Sequence, residues 1–230
     1  MTKPWQTIDS DDTADGPLEL RQRNGSDFLI TIEGRVLMNS HANRSEILLS
    51  KMACDCMSNK NEPRVLIGGL GMGFTLKAGL DEIPANARVI VAELNPVVVK
   101  WCRGPLASLT NGAVNDPRVT IEIADVTSMI RKSAMNGGDN RFDAIILDLY
   151  EGPFEAVKDR GNYVYGDNAL KMSGSALMPG GVFAVWSEDP DKAFERRLVH
   201  AGFSFKRHRP GRGNRHVVYI AQKRNTESDD

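Results

Sequence analysis

The chain has few cysteines: Cys54, Cys56 and Cys102 are an odd three among 230 residues, which argues against a disulfide framework. Cys54-Asp55-Cys56 finds no second ligand pair and no histidine cluster with which to close a four-ligand site. The expectation is therefore reduced thiols packed as small hydrophobes, and no metal. Charge of one sign is lacking too. Lys plus Arg number 29 against 30 Asp plus Glu, a net charge of −1, so global electrostatics gives no reason to expect nucleic acid or an anionic membrane surface as partner. No apolar run approaches membrane-spanning length, and Met1-Thr2-Lys3-Pro4-Trp5-Gln6 offers no signal-peptide core, so the expected location is cytoplasmic. Internal repeats and low-complexity tracts are missing as well.

What is present is a dense alternation of extended and helical patterns, expected to form one α/β core. Residues 1–16 read as a polar, acidic tail, and residues 223–230 as a second one. In the unit 17–58, apolar runs at 18–21 and 28–32 flank Asn24-Gly25-Ser26, which predicts a β-hairpin. A third short strand is expected at 35–38, and a lead-in helix at 45–57. Over 59–222, strands are expected at 65–67, 89–92, 119–123, 142–147 and 181–186, with helices between them. Most of these runs are continuously apolar, as strands covered on both faces must be. The run 119–123 instead alternates, which suits an edge. Asn95-Pro96 supplies a helix N-cap followed by proline at the first helical position.

Extended runs at 203–206 and 216–220 face each other across Pro210-Gly211-Arg212-Gly213-Asn214, predicting a terminal antiparallel hairpin. The expected fold is a doubly wound, mostly parallel seven-stranded sheet ending in that hairpin: a class I methyltransferase fold behind a small N-terminal β-hairpin. The terminal hairpin separates this fold from a dinucleotide-binding Rossmann domain.

The chemistry begins at Gly68-Gly69-Leu70-Gly71-Met72-Gly73, between an apolar strand and Phe74-Thr75-Leu76. Strand, glycine turn and helix bring backbone close to a ligand and aim free N–H groups at it, so Gly69, Gly71 and Gly73 are candidate cofactor-binding residues. Glu93 ends the next strand, where an acid can accept hydrogen bonds from both ribose hydroxyls. The bland alternative is tight helix–strand packing plus a surface carboxylate. Asp125, after the third strand, can accept the adenine amino group or cap the helix that begins at Val126, and the two roles are compatible. The cofactor expected is S-adenosylmethionine or its decarboxylated form.

The fourth strand runs into Asp148-Leu149-Tyr150-Glu151-Gly152, beyond the carboxyl end of the sheet, where ligands bind in open α/β folds. Asp148 and Glu151 are candidate catalytic carboxylates for holding a small amine and taking up its proton, with Tyr150 offering cation–π attraction. The alternative is a capping Asp148 and a solvated Glu151. Arg207-His208-Arg209, Arg212, Arg215 and His216 form a basic cluster that reads as a charged hairpin edge more readily than as an anion site. Met38-Asn39-Ser40-His41 falls where a lid over the cofactor could begin, with His41 outside the catalytic set.

These residues carry a resemblance. Glu33-Gly34 through Ser45-Glu46, the glycine loop, Ala92-Glu93-Leu94-Asn95-Pro96, Ala124-Asp125 and the run from Phe142 to Asp148 resemble the spermidine synthase-like family in order and spacing, from about residue 17 to 222. The resemblance implies transfer from a sulfonium nucleotide to an amine, often within a homodimer. Three positions depart from the aminopropyltransferase pattern. Met72 is read where the loop carries an Asp that meets the donor ammonium, Leu37 where a Gln stands, and Asp148-Leu149-Tyr150-Glu151-Gly152 where the family has Asp-Ser-Ser-Asp-Pro. The acid that methyltransferases carry just before the loop is replaced by Ile67. The rival readings are a small-molecule methyltransferase and a non-catalytic adenosyl-binding module.

Overall fold

The computed structural model describes residues 3–150, 152–153, 164–211 and 215–223. Two sheets share them. The N-terminal sheet is a four-stranded antiparallel meander, β1 (Gln6–Thr13), β2 (Gly16–Arg23), β3 (Asp27–Ile32) and β4 (Arg35–Asn39). Helix α1 (Arg44–Asp55) leads from it into β5 (Arg64–Gly68), α2 (Phe74–Glu82), β6 (Arg88–Glu93), α3 (Pro96–Arg103), β7 (Val119–Ile123), α4 (Val126–Asn136) and β8 (Phe142–Leu147). Then follow α5 (Asp167–Ala176), β9 (Leu177–Ser187), α6 (Lys192–His200), β10 (Phe203–His208) and β11 (Val217–Lys223).

The larger sheet has seven strands in the order β10-β11-β9-β8-β5-β6-β7. Strands β7, β6, β5, β8 and β9 are parallel, while β11 is antiparallel to both β9 and β10. This is the class I methyltransferase fold. Strand order reverses between β5 and β8, which creates the crevice where such sheets bind ligands. Strand β8 is apolar because α4 and α5 cover one face of this region and α1 covers the other; Ala144 through Leu147 are fully buried. Strand β7 lies at an edge, and its alternation leaves Glu122 and Ile123 exposed.

Residues 1–16, expected as a polar tail, instead contain β1, and the expected hairpin is a four-stranded sheet. The cause is side-chain pairing that a polarity count cannot reveal. Asp9 accepts hydrogen bonds from Trp101 Nε1 at 2.9 Å and Lys100 Nζ at 2.8 Å, which fastens β1 to α3. Backbone pairing with β2 does the rest and leaves the Asp-rich face in water. Strand β3 is buried along its whole length, and Leu18, Leu20, Phe28, Ile30 and Ile32 join the core that holds Ile67, Leu76 and Val91. The N-terminal sheet is thus packed onto the half of the larger unit built from β5, α2 and β6. At the other end, Lys223 belongs to β11, and residues 224–230 of the expected tail lie outside the described residues.

Trp101 is fully buried at this junction. Trp101→Ala is expected to lower the unfolding free energy by about 3–5 kcal/mol. Trp101→Phe, which keeps most of the packing and loses the donor to Asp9, should cost clearly less. Urea unfolding monitored by circular dichroism measures both, and equal losses would contradict a packing role for the indole.

Candidate functional site

A cleft of about 580 Å³ opens beyond the carboxyl ends of β5, β6, β7 and β8. Leu18, Ile30 and Ile32 of the N-terminal sheet wall its opposite side. Gly69 and Gly71 line the cleft, both with positive φ, +87° and +51°. A Cβ at Gly69 would stand 2.5 Å from the Asp148 carbonyl oxygen, so the glycine is required by close approach of two backbones. The third candidate, Gly73, does not line the cleft. It caps α2 at φ +83° and packs toward Thr110, so its part is to shape the turn.

Glu93 holds the loop. Its Oε2 accepts from the Leu70 backbone N–H at 2.9 Å and its Oε1 from the Asn95 N–H at 2.8 Å. One side chain thereby ties the glycine turn to the turn that begins α3, and still lines the cleft. Burial pushes its carboxyl above the usual range, and the N–H groups of Asn95 and Leu70 oppose that rise. The Cys102 thiol donates to the Gly71 carbonyl at 3.2 Å, a further tie between α3 and the loop. Cys54 and Cys102 are buried, and burial pushes both thiols up to about 12; all three cysteines are free.

Asp125 lines the cleft and also caps α4, accepting from Thr127 N–H at 2.9 Å and from the Thr127 hydroxyl. Asp148 lines it as well. Thr75 Oγ1, in the first turn of α2, donates to Asp148 Oδ2 at 2.5 Å. Burial pushes the Asp148 carboxyl up to about 7, the negative Glu46 adds to the rise, and the Thr75 hydroxyl opposes it. Tyr150 stands at the cleft mouth, 46% exposed. Glu151 lies outside the described residues.

Met72 corrects the motif reading. Its side chain is fully buried in the core and does not line the cleft. In the six-residue loop it is the fourth residue, Gly71, that faces the cleft, with Met38 Sδ in the space a Cβ would take. Neighbouring loop residues point to opposite sides, so counting along the string placed the substitution one residue late. The position is filled by a thioether from β4, with no carboxylate.

Other side chains in the cleft had no role assigned from the sequence, although Ser45-Glu46 closes the run that carries the resemblance. Glu46, in the first turn of α1, lines it with only 8% exposure. Ser45 Oγ donates to Glu46 Oε2 at 2.7 Å and lies 3.4 Å from His216 Nδ1. His216 packs edge-on to Trp186, another lining residue, with ring centroids 5.1 Å apart. Burial lowers the His216 pKa, and Glu46 opposes that shift. Arg35 of β4 is the one basic residue among the described lining residues.

The basic cluster is largely spoken for. Arg207 pairs with Glu195 at 2.6 Å and Arg215 with Glu188, while Arg212 lies outside the described residues. His41 bonds Asp27 at 2.9 Å and does not line the cleft, though Met38 does. Among the described residues, no helix is long and apolar enough to cross a membrane, and no group of three or more metal-ligating side chains occurs.

Two substitutions probe this geometry. Gly69→Ala and Gly25→Ala both force a residue into positive φ, +87° and +81°, but only Gly69 has an atom in the way. Each should bear about 1–2 kcal/mol of backbone strain, while only Gly69→Ala should weaken adenosyl-ligand binding, by about tenfold or more in calorimetry. Asp148→Asn reports on burial of the carboxylate. The folded chain holds the Asp148 proton up to about pH 7, against 3.8 for a free side chain, so it binds more protons than the unfolded chain between those values. Stability from this group is full below the lower value and is lost as pH rises through the upper one. Asp148→Asn should therefore gain on the wild type in urea unfolding as pH rises from about 4 to about 8, and parallel profiles would contradict a buried Asp148.

No family model matches the chain. Curated polyamine aminopropyltransferases do. That of Mycobacterium tuberculosis is 31% identical over 126 residues, 55% of this chain and 23% of that protein. That of Clostridium tetani is 27% identical over 133 residues, 58% and 43%, and polyamine aminopropyltransferase 1 of Hyperthermus butylicus is 34% identical over 127 residues, 54% and 41%. The chain thus spans from about a quarter to two fifths of the length of these relatives. Among solved structures, spermidine synthase from Thermotoga maritima superposes with a TM-score of 0.74 at 21% identity, covering 95% of this chain and 73% of that one. A spermidine synthase in complex with the transition-state analogue AdoDATO gives 0.72 at 21% identity, covering 95% and 72%. At that identity the superpositions speak for the fold, while the relatives speak for the sequence. The chain is thus similar in sequence to polyamine aminopropyltransferases and in fold to spermidine synthases.

Proposed function

We propose that this chain is a transferase that moves an aminopropyl group from decarboxylated S-adenosylmethionine to a small amine. The observation that carries the proposal is the charge of the cleft. Asp15, Glu46, Glu93, Asp125 and Asp148 line it against the single basic Arg35 among the described residues, so the cleft suits a ligand that is cationic. A sulfonium donor and an ammonium acceptor are both cationic. The relatives named polyamine aminopropyltransferase supply the class of acceptor.

The residues fit an adenosyl group. Gly69 and Gly71 leave the loop bare of side chains at the cleft, and each Glu93 oxygen binds one backbone N–H with lone-pair capacity left for ribose hydroxyls. Asp125 would accept the adenine amino group while capping α4. The donor supplies a carbon already activated by positive sulfur, so the protein's task is alignment and removal of one proton. Asp148 and Glu151 would hold the amine, and Tyr150 would face its charge at the mouth. We place the enzyme in the cytoplasm, with a homodimer formed along the N-terminal sheet.

A second reading, methyl transfer from intact S-adenosylmethionine, is favoured by Arg35 in the cleft and by the bare Gly71 beside Met38. Calorimetric titration of both donors separates the two. Aminopropyl transfer predicts that the decarboxylated donor binds about tenfold or more tightly than the intact one, and the reverse preference would sink it. If Asp148→Asn left transfer unchanged, the acceptor assignment would be wrong.

A further inference from the structure

Among the described acids of the cleft, Glu46 is the one whose burial the glycine loop does not explain. It sits in the first turn of α1, 8% exposed, and faces the Asp148 end. The Ser45 hydroxyl satisfies Oε2 at 2.7 Å and links it toward His216, 3.4 Å away. Arg215, which faces His216, is committed to Glu188. Thr75 faces Asp148; Asp189 and Arg215 face His216, and Glu46 acts on both Asp148 and His216. Among the described residues neither Glu46 nor Asp148 has an ion-pair partner, so holding both carboxylates out of water is costly, and a bound ammonium would supply the missing charge.

We propose that Glu46 and Asp148 act as one carboxylate pair that holds the reacting ammonium of the acceptor and takes its proton. The assignment rests on the transferase reading. An ammonium R–NH3+ gives one proton to the pair and becomes R–NH2. Its lone pair forms the new C–N bond to the carbon beside the sulfonium, and the C–S bond breaks with its electron pair going to sulfur. The sulfur leaves as a neutral thioether, the product amine carries the positive charge, and the pair returns its proton to water. Glu46 is therefore a catalytic residue by contact with the acceptor, at a position to which the sequence alone assigned no role.

The test uses 1,4-diaminobutane as probe, titrated by calorimetry into the full chain saturated with 5′-methylthioadenosine. Glu46→Gln is expected to weaken diamine binding by about tenfold or more while leaving nucleoside binding within about twofold, which also shows that the variant folds. In transfer assays, the acid limb of kcat/KM should move to lower pH in Glu46→Gln, because a nearby negative charge that raises Asp148 has been removed; a merely structural Glu46 would not move it. In the wild type, adding diamine should lower the Asp148 titration midpoint seen by carboxyl NMR. Diamine binding untouched by Glu46→Gln in an active transferase would overturn the role of Glu46 alone, as would an Asp148 midpoint that diamine leaves in place. Glu46-dependent diamine binding in a chain that transfers neither aminopropyl nor methyl would refute the transferase reading, and with it the proton-transfer step.

Discussion

The carboxylate of Glu93, divided between the N–H of Leu70 and that of Asn95, is the interaction on which the rest of the cleft depends. It fixes the end of β6 against the turn that ends β5, so the glycine loop is held open by a buried charge. The loop can then run so near β8 that Gly69 has no room for a Cβ beside the Asp148 carbonyl. The same approach brings Asp148 next to Thr75 on the following helix. One acid thus sets the position of another across the point where strand order reverses.

Above that frame the N-terminal sheet works as a wall. Its β3 strand is wholly buried, β4 contributes Met38 and Arg35 to the cleft, and α1 contributes Glu46, to which Ser45 donates a hydrogen bond. Asp9, by bonding Trp101 and Lys100, keeps the outer strand of this wall on α3. The cleft is therefore shared between two sheets, apolar where Leu18, Ile30 and Ile32 face it and acidic where Glu46 and Asp148 line it. This distribution suits a donor with a flat nucleoside at one end and a cationic reacting centre at the other.

Strand β5, the glycine loop and α2 were legible because periodicity changes there from continuous apolar to helical, with glycine between. Glu93, Asp125 and Asp148 were legible because parallel strands put their carboxyl ends on one edge. Strand β1 was not, because an edge strand of Asp, Ser and Thr looks like solvated tail until its partner strand and Trp101 are in place. Nor was the Ser45–His216 approach, whose residues stand 171 positions apart. Met72 and Gly71 could not be sorted from the string, since only the backbone shows which side of the loop each faces.

That aminopropyl moves from sulfur to an amine in this acid-lined cleft is tested most directly by mass spectrometry of the products. Incubated with decarboxylated S-adenosylmethionine and 1,4-diaminobutane, the chain should release 5′-methylthioadenosine and an equal amount of diamine extended by one aminopropyl unit. A methylated amine with S-adenosylhomocysteine from the intact donor, and no extended product from the decarboxylated one, would contradict the account.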